Sequence, residues 1–193
     1  MTRRSLFNTL SNQEQGLPTV WEWHEFQRAL IGEEKSRVLD ALAKGEGPAA
    51  PRYFGKTRQE LDADFAFQVA ELGLLSMLAM LACTEAALRG DFIVRVSDKK
   101  KDEVSRGFRD AFKQRGKRIR RVRLEEDILD VWGDRADAGS RRAVGEFKGA
   151  LNLRHWLAHG RYWKPKLGRA AGYDPADVFD ICQELLQALS PTR

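Results

Sequence analysis

Arg154-His155-Trp156-Leu157-Ala158-His159-Gly160 gathers an arginine and two of the chain's three histidines into one short string. These side-chain types suit work on a phosphodiester. Histidine exchanges protons near neutral pH, and arginine holds developing phosphate charge through a planar fork of donors. Their spacing places them on a helix. Ser140 is an N-cap residue type, and Val144, Phe147, Leu151 and Ala158 mark the inward side of the helix that follows it. Arg154 stands three residues after Leu151 and seven after Phe147, so it continues the apolar stripe. A charge on that stripe is costly unless it has a partner or lines a cleft. His155 and His159 are four apart and share an adjoining face. Gly160 then ends the helix, where the backbone can turn the His159 ring toward Arg154.

Two other readings of the histidines stand beside this one. A pair at i and i+4 could ligate a metal, but a zinc hydrolase of the His-Glu-x-x-His type needs glutamate where this chain has Trp156, and the sequence offers no evident third ligand. The imidazoles could instead close a helix end by bonding its free carbonyls. His24, in a Trp-Glu-Trp-His string, is expected on a helix and partly exposed.

The scaffold must hold that string, and the composition says what kind it is. A chain of 193 residues with 42% hydrophobic and 32% charged residues can bury a core as one soluble domain without disulfides. Cys83 and Cys182 sit in apolar runs without metal or redox spacing, as buried thiols of a reducing compartment. The longest uncharged stretch, Leu72 to Thr84, has thirteen residues, and a membrane span needs about twenty. The N-terminus lacks the sustained apolar segment of a signal peptide. A cytoplasmic protein without membrane partners is expected.

Charge is uneven. Residues 99–123 hold twelve Lys and Arg against Asp102, Glu103 and Asp110, a local +9 in a chain of net +5, which leaves −4 elsewhere. Such polarity suits an anionic partner, with a solvated helix face as the bland alternative.

The periodicity is helical throughout, with no strand-rich region, so the class is all-α. A capping box at Thr19 and Glu22 opens a first helix, Gly32 can interrupt it, and Gly45-Glu46-Gly47-Pro48 ends it. Residues 1–55 form a helical arm, and 56–193 a bundle. Thr57 and Glu60 give a second capping box. The helix after it reaches about Arg89 and stops at Gly90, with apolar residues such as Leu75 and Phe67 on most sides, the pattern of a covered central helix. Phe92 to Val96 is left between extended and helical. Ser97 or Asp98 caps a helix through Gln114, buried along Val104, Phe108, Ala111 and Phe112. A basic connector follows to Arg123, then a short helix from Leu124 to Trp132. Asp174-Pro175 starts the last helix, which runs to about Leu189.

With these elements in place, LRHWLAHGRYW resembles the motif of the HEPN superfamily, named for higher eukaryotes and prokaryotes nucleotide-binding domains. That motif is an arginine, often followed by Asn, Asp or His, with four to six residues before a histidine. Arg154, His155 and His159 fit it with four. The all-α context, the late position and the final amphipathic helix fit as well, over roughly residues 57–190. The resemblance implies a HEPN-like helical bundle that pairs as a homodimer with the two motifs meeting at the two-fold axis. It also implies a metal-independent endoribonuclease, with no cofactor, that leaves 2′,3′-cyclic phosphate ends. Its role would be a toxin with a cognate antitoxin, or an antiviral effector. His159 would move the proton, Arg154 would steady phosphorus charge, and His155 would orient either arginine or substrate, or lend a second proton site. Arg161, Tyr162, Lys164, Lys166 and Arg169, with Arg118, Arg120 and Arg121 of the connector, could track the RNA backbone; solvated loop charges are the alternative. HEPN toxins that are modified carry tyrosine two residues after the histidine. Here Arg161 stands there and Tyr162 comes one later, which puts that regulation in doubt. Trp163 is the best of five tryptophans for base stacking, although tryptophans in bundles are mostly core. A non-catalytic HEPN-like module that binds nucleotide, RNA or a protein is the second hypothesis.

Overall fold

The computed structural model describes residues 16–47, 50–135, 137–161 and 168–189. They form α1 (Leu17–Ala43), α2 (Arg58–Ser97), α3 (Glu103–Gln114), a π-helical turn (Leu124–Leu129) running into α4 (Asp130–Arg135), α5 (Ala138–Ala158) and α6 (Pro175–Leu189). Among the described residues there is no strand, and the fold is all-α.

α2 is the axis. Thr57 and Glu60 close a reciprocal capping box at its start. The helix then passes through Gly90 without stopping and ends at Ser97. A glycine inside a helix costs only about 1 kcal/mol relative to alanine. Here the burial of Leu88, Phe92 and Arg95 on either side of Gly90 offsets it. Phe92–Val96 is therefore helical. At 40 residues α2 is, by length and composition alone, long and apolar enough to cross a membrane. In the fold α1, α3, α5 and α6 pack along it.

The core is filled by Met80, Leu81, Phe92, Phe108, Ile128, Phe147, Val178, Cys182 and Leu185. Burial pushes the Cys182 thiol up to about 12, which leaves it an inert core residue. Cys83 is half-buried. Arg95 is also buried. It is held by Asp91, Asp102 and the Ser105 hydroxyl, with its guanidinium over Trp132, so its charge is matched inside the fold.

Other sequence expectations shift by a few residues. α1 starts at Leu17 behind Gly16 with Pro18 in its first turn, so Thr19 and Glu22 lie inside the helix and form no box, and Gly32 leaves it continuous. Asp102 replaces Ser97 or Asp98 as the cap of α3, accepting from the Ser105 N–H. Asp137 replaces Ser140 as the cap of α5. The Ser140 N–H donates to it, and its hydroxyl lies within bonding distance of Asp137 and the Ala188 carbonyl. Asp174 caps the start of α6, as its sequence predicts, and Asp177 reciprocates by accepting from the Asp174 N–H.

The arm is built into the bundle. Leu17 and Val20 join the main core, while Val38 and Tyr53 pack with Leu61 and Phe65 of α2 in a second cluster. His24 is buried at 3% exposure, contrary to the expectation, because α1 runs against α2 and sets it on Ser76. The single Ser76 proton goes to the Leu72 carbonyl, so His24 Nδ1–H donates to Ser76 Oγ at 2.9 Å. Burial, helped by Arg28 and opposed by Glu25, holds this imidazole below its usual 6.5. The unfolded chain then takes up a proton that the folded chain refuses, so stability is full above pH 6.5 and falls as pH drops below it. The thermal midpoint is expected to decline between pH 7 and pH 5, and to decline less in His24→Gln. An equal slope in both proteins contradicts this account.

Candidate active site

α5 carries the motif along α2. Arg154 turns inward, as its place on the stripe predicts, and meets Glu85 of α2, Nη2 to Oε2 at 3.1 Å. It is half-buried, and its Nε is buried without a hydrogen-bond partner among the described residues. Glu85 is 17% exposed and also receives Arg89 Nε at 2.9 Å. Glu85 is not evident as a site residue from the sequence. Its only signal was a carboxylate closing the uncharged run of the central helix.

Around the α5 axis, at about 100° per residue, His155 lies one step from Arg154 and His159 shares its side. Both imidazoles are exposed. Their ring centroids are 4.4 Å apart and the planes tilt by 58°, so the two rings touch. Ala158, expected inward, is exposed, whereas Val144, Phe147 and Leu151 are buried as predicted.

The helix ends as Gly160 implies. His159 is the C-cap, Gly160 takes a φ of +79°, its N–H donates to the Leu157 carbonyl, and the Arg161 N–H reaches back to Trp156. This paired closure is a Schellman turn built from backbone, independent of the histidine side chains. Arg161 follows at a φ of +59°, a left-handed conformation that costs a non-glycine residue roughly 1–2 kcal/mol. Its guanidinium is pinned by both Glu71 oxygens of α2, at 2.7 and 2.8 Å. That bond holds the Glu71 carboxyl below its ordinary range. Arg161 is thus engaged within the chain. Tyr162, Trp163, Lys164 and Lys166 lie outside the described residues, as does the Arg169 side chain.

Arg118, Arg120 and Arg121 are exposed and form no ion pair among the described residues. Their segment is fixed at both ends: Arg115 binds Asp127 and Glu126, and Arg123 binds Glu126. Arg89 joins this connector to the motif, donating through Nη1 to the Val122 carbonyl at 3.2 Å while it shares Glu85 with Arg154.

Beside the motif α2 presents an open face. Phe67, Leu75 and Ile93 are 66%, 60% and 47% exposed, and exposed Ala82, Ala86 and Gly90 lie between the last two. This corrects the expectation of a helix covered on most sides. Leu75 and Ala82 lie along α2 between Glu71 and Glu85, the two carboxylates that hold Arg161 and Arg154, so the apolar face adjoins the turns of α2 that anchor the motif's arginines. On α1, Trp23, Phe26 and Leu30 are exposed too. A cavity of about 290 Å³ between Val38, Leu42, Tyr53 and Leu61 is not lined by the motif. Among the described residues no group of three His, Cys, Asp or Glu gathers to hold a metal.

The fold and site together define an all-α protein with an exposed histidine pair beside an anchored arginine. No family model, curated protein or solved structure matches the chain.

Proposed function

We propose that this protein is a metal-independent endoribonuclease that works as a homodimer, as the HEPN-like motif implies. The observation that carries it is the exposed His155–His159 contact at the end of the helix whose Arg154 is set by Glu85, a residue of the helix that also exposes Phe67, Leu75 and Ile93. Full burial of a side chain such as Phe67, Leu75 or Ile93 contributes about 1.5–3 kcal/mol, and pairing of two copies along α2 would cover all three twice. The histidines would then line a crevice between subunits.

His159 takes the proton from a ribose 2′-hydroxyl, and the freed oxygen bonds to the adjacent phosphorus. Arg154 steadies the charge on the pentacoordinate centre. The bond from phosphorus to the 5′-oxygen breaks, and that oxygen takes a proton from a second imidazole, His155. The products are a 2′,3′-cyclic phosphate and a 5′-hydroxyl. The same activity fits a toxin or an antiviral effector in the cytoplasm, restrained by an antitoxin.

A second reading has one observation in its favour: Glu85 and Glu71 both occupy arginines of the motif, as they would in a non-catalytic module that binds nucleotide, RNA or protein. Incubation with labelled RNA in EDTA separates the two. Fragments that disappear in both Arg154→Ala and His159→Ala support the nuclease. Intact RNA with nucleotide binding retained supports the module.

A further inference from the structure

One carboxylate cannot neutralise two guanidiniums, and Glu85 faces two. Arg89 and Arg154 take its separate oxygens at 2.9 and 3.1 Å, and their side chains remain 39% and 35% exposed. A net positive charge is left between them. Arg89 spends its Nε–H on Glu85 and one Nη1–H on the Val122 carbonyl, which leaves three of its five donors unspent among the described residues. Because both arginines bond the same carboxylate, their bonding nitrogens lie no more than roughly 8 Å apart, a gap that the oxygens of one phosphate group can bridge with ordinary hydrogen bonds.

We propose that Arg89 and Arg154 form a two-arginine site for a backbone phosphate of the RNA, with Glu85 as the strut that holds them side by side against their mutual repulsion. Arg89 is then a substrate-binding residue in its own right. Its bond to Val122 aligns it with exposed Arg118, Arg120 and Arg121, so that the cations continue from the motif along the connector and the strand follows them. The inference rests on the ribonuclease reading for the identity of the phosphate's source. The opposing possibility is that Arg89 only staples α2 to the connector.

The test uses the full chain carrying His159→Ala, so that RNA stays intact. Binding of a fluorescein-labelled single-stranded RNA is followed by anisotropy at several salt concentrations, with the thermal midpoint measured alongside. Adding Arg89→Gln is expected to weaken binding about tenfold and to make the plot of log affinity against log salt shallower by about one. Arg89→Lys, which keeps the charge, should restore most of that slope. An unchanged slope in Arg89→Gln with a lowered midpoint overturns the proposal in favour of a staple, and so does absence of RNA binding in the parent. If Arg89→Gln does not fold, phenylglyoxal labelling of the parent decides. Slower labelling of Arg89 with RNA bound supports the site, and unchanged labelling overturns it. A protein that binds RNA through Arg89 yet cuts nothing in its native form sinks the ribonuclease reading alone.

Discussion

Replacing His159 with alanine is expected to lower the rate of RNA cleavage by about 10²–10⁴-fold, the usual contribution of a positioned proton-transfer group. The fold should survive. His159 is exposed at the C-cap, and the turn that ends α5 is made by the Gly160 and Arg161 backbone. The substitution removes a ring contact with His155 and leaves the Arg154–Glu85 pair intact. Arg154→Ala should lose comparable activity, and Glu85 is not stranded by it because Arg89 stays on its other oxygen. Single-turnover rates on one RNA, with thermal midpoints for each variant, check both. Full activity in His159→Ala would remove the imidazole from the mechanism.

The second large effect is on assembly. If the protein pairs along α2 as proposed, Leu75→Glu combined with Ala82→Glu is expected to give a 22.0 kDa monomer and to abolish cleavage with it. Both residues are exposed within one chain, so glutamate there does not disturb its core. Near a two-fold axis each new carboxylate meets its own copy, and like charges in an apolar contact are strongly disfavoured. Sedimentation gives the mass and the RNA assay gives the activity. A native chain that is monomeric and cuts RNA, or a double variant that stays dimeric, contradicts pairing along this face.

Local signals in the sequence carried far. Asp174-Pro175 and Thr57 with Glu60 marked helix starts because capping is local hydrogen bonding, and Gly160 marked the end of α5 because a left-handed position favours glycine. Arg154 on the inward stripe called for either a partner or a cleft, and the structure supplies a partner. The partner itself was illegible, since Glu85 belongs to a helix whose register against α5 is set by tertiary packing. His24 failed for the same reason: its burial depends on Ser76 across the α1–α2 joint. Gly90 misled because Leu88 and Phe92 gain more by burial than the glycine costs. Asp137 and Ser140 are both good caps, and short-range pattern cannot choose between them. Phe67 and Leu75 read as core by composition, while the fold leaves them open.

In the proposed reaction a 2′-hydroxyl is the nucleophile, activated by His159 without a metal. This step is tested most directly with one RNA and a copy carrying a single 2′-deoxy substitution at the mapped cut, both in EDTA. The native ribose should be cut to leave a 2′,3′-cyclic phosphate, and the deoxy copy should stay whole at that position. Equal cleavage of the two, or cleavage that requires added divalent metal, would contradict it.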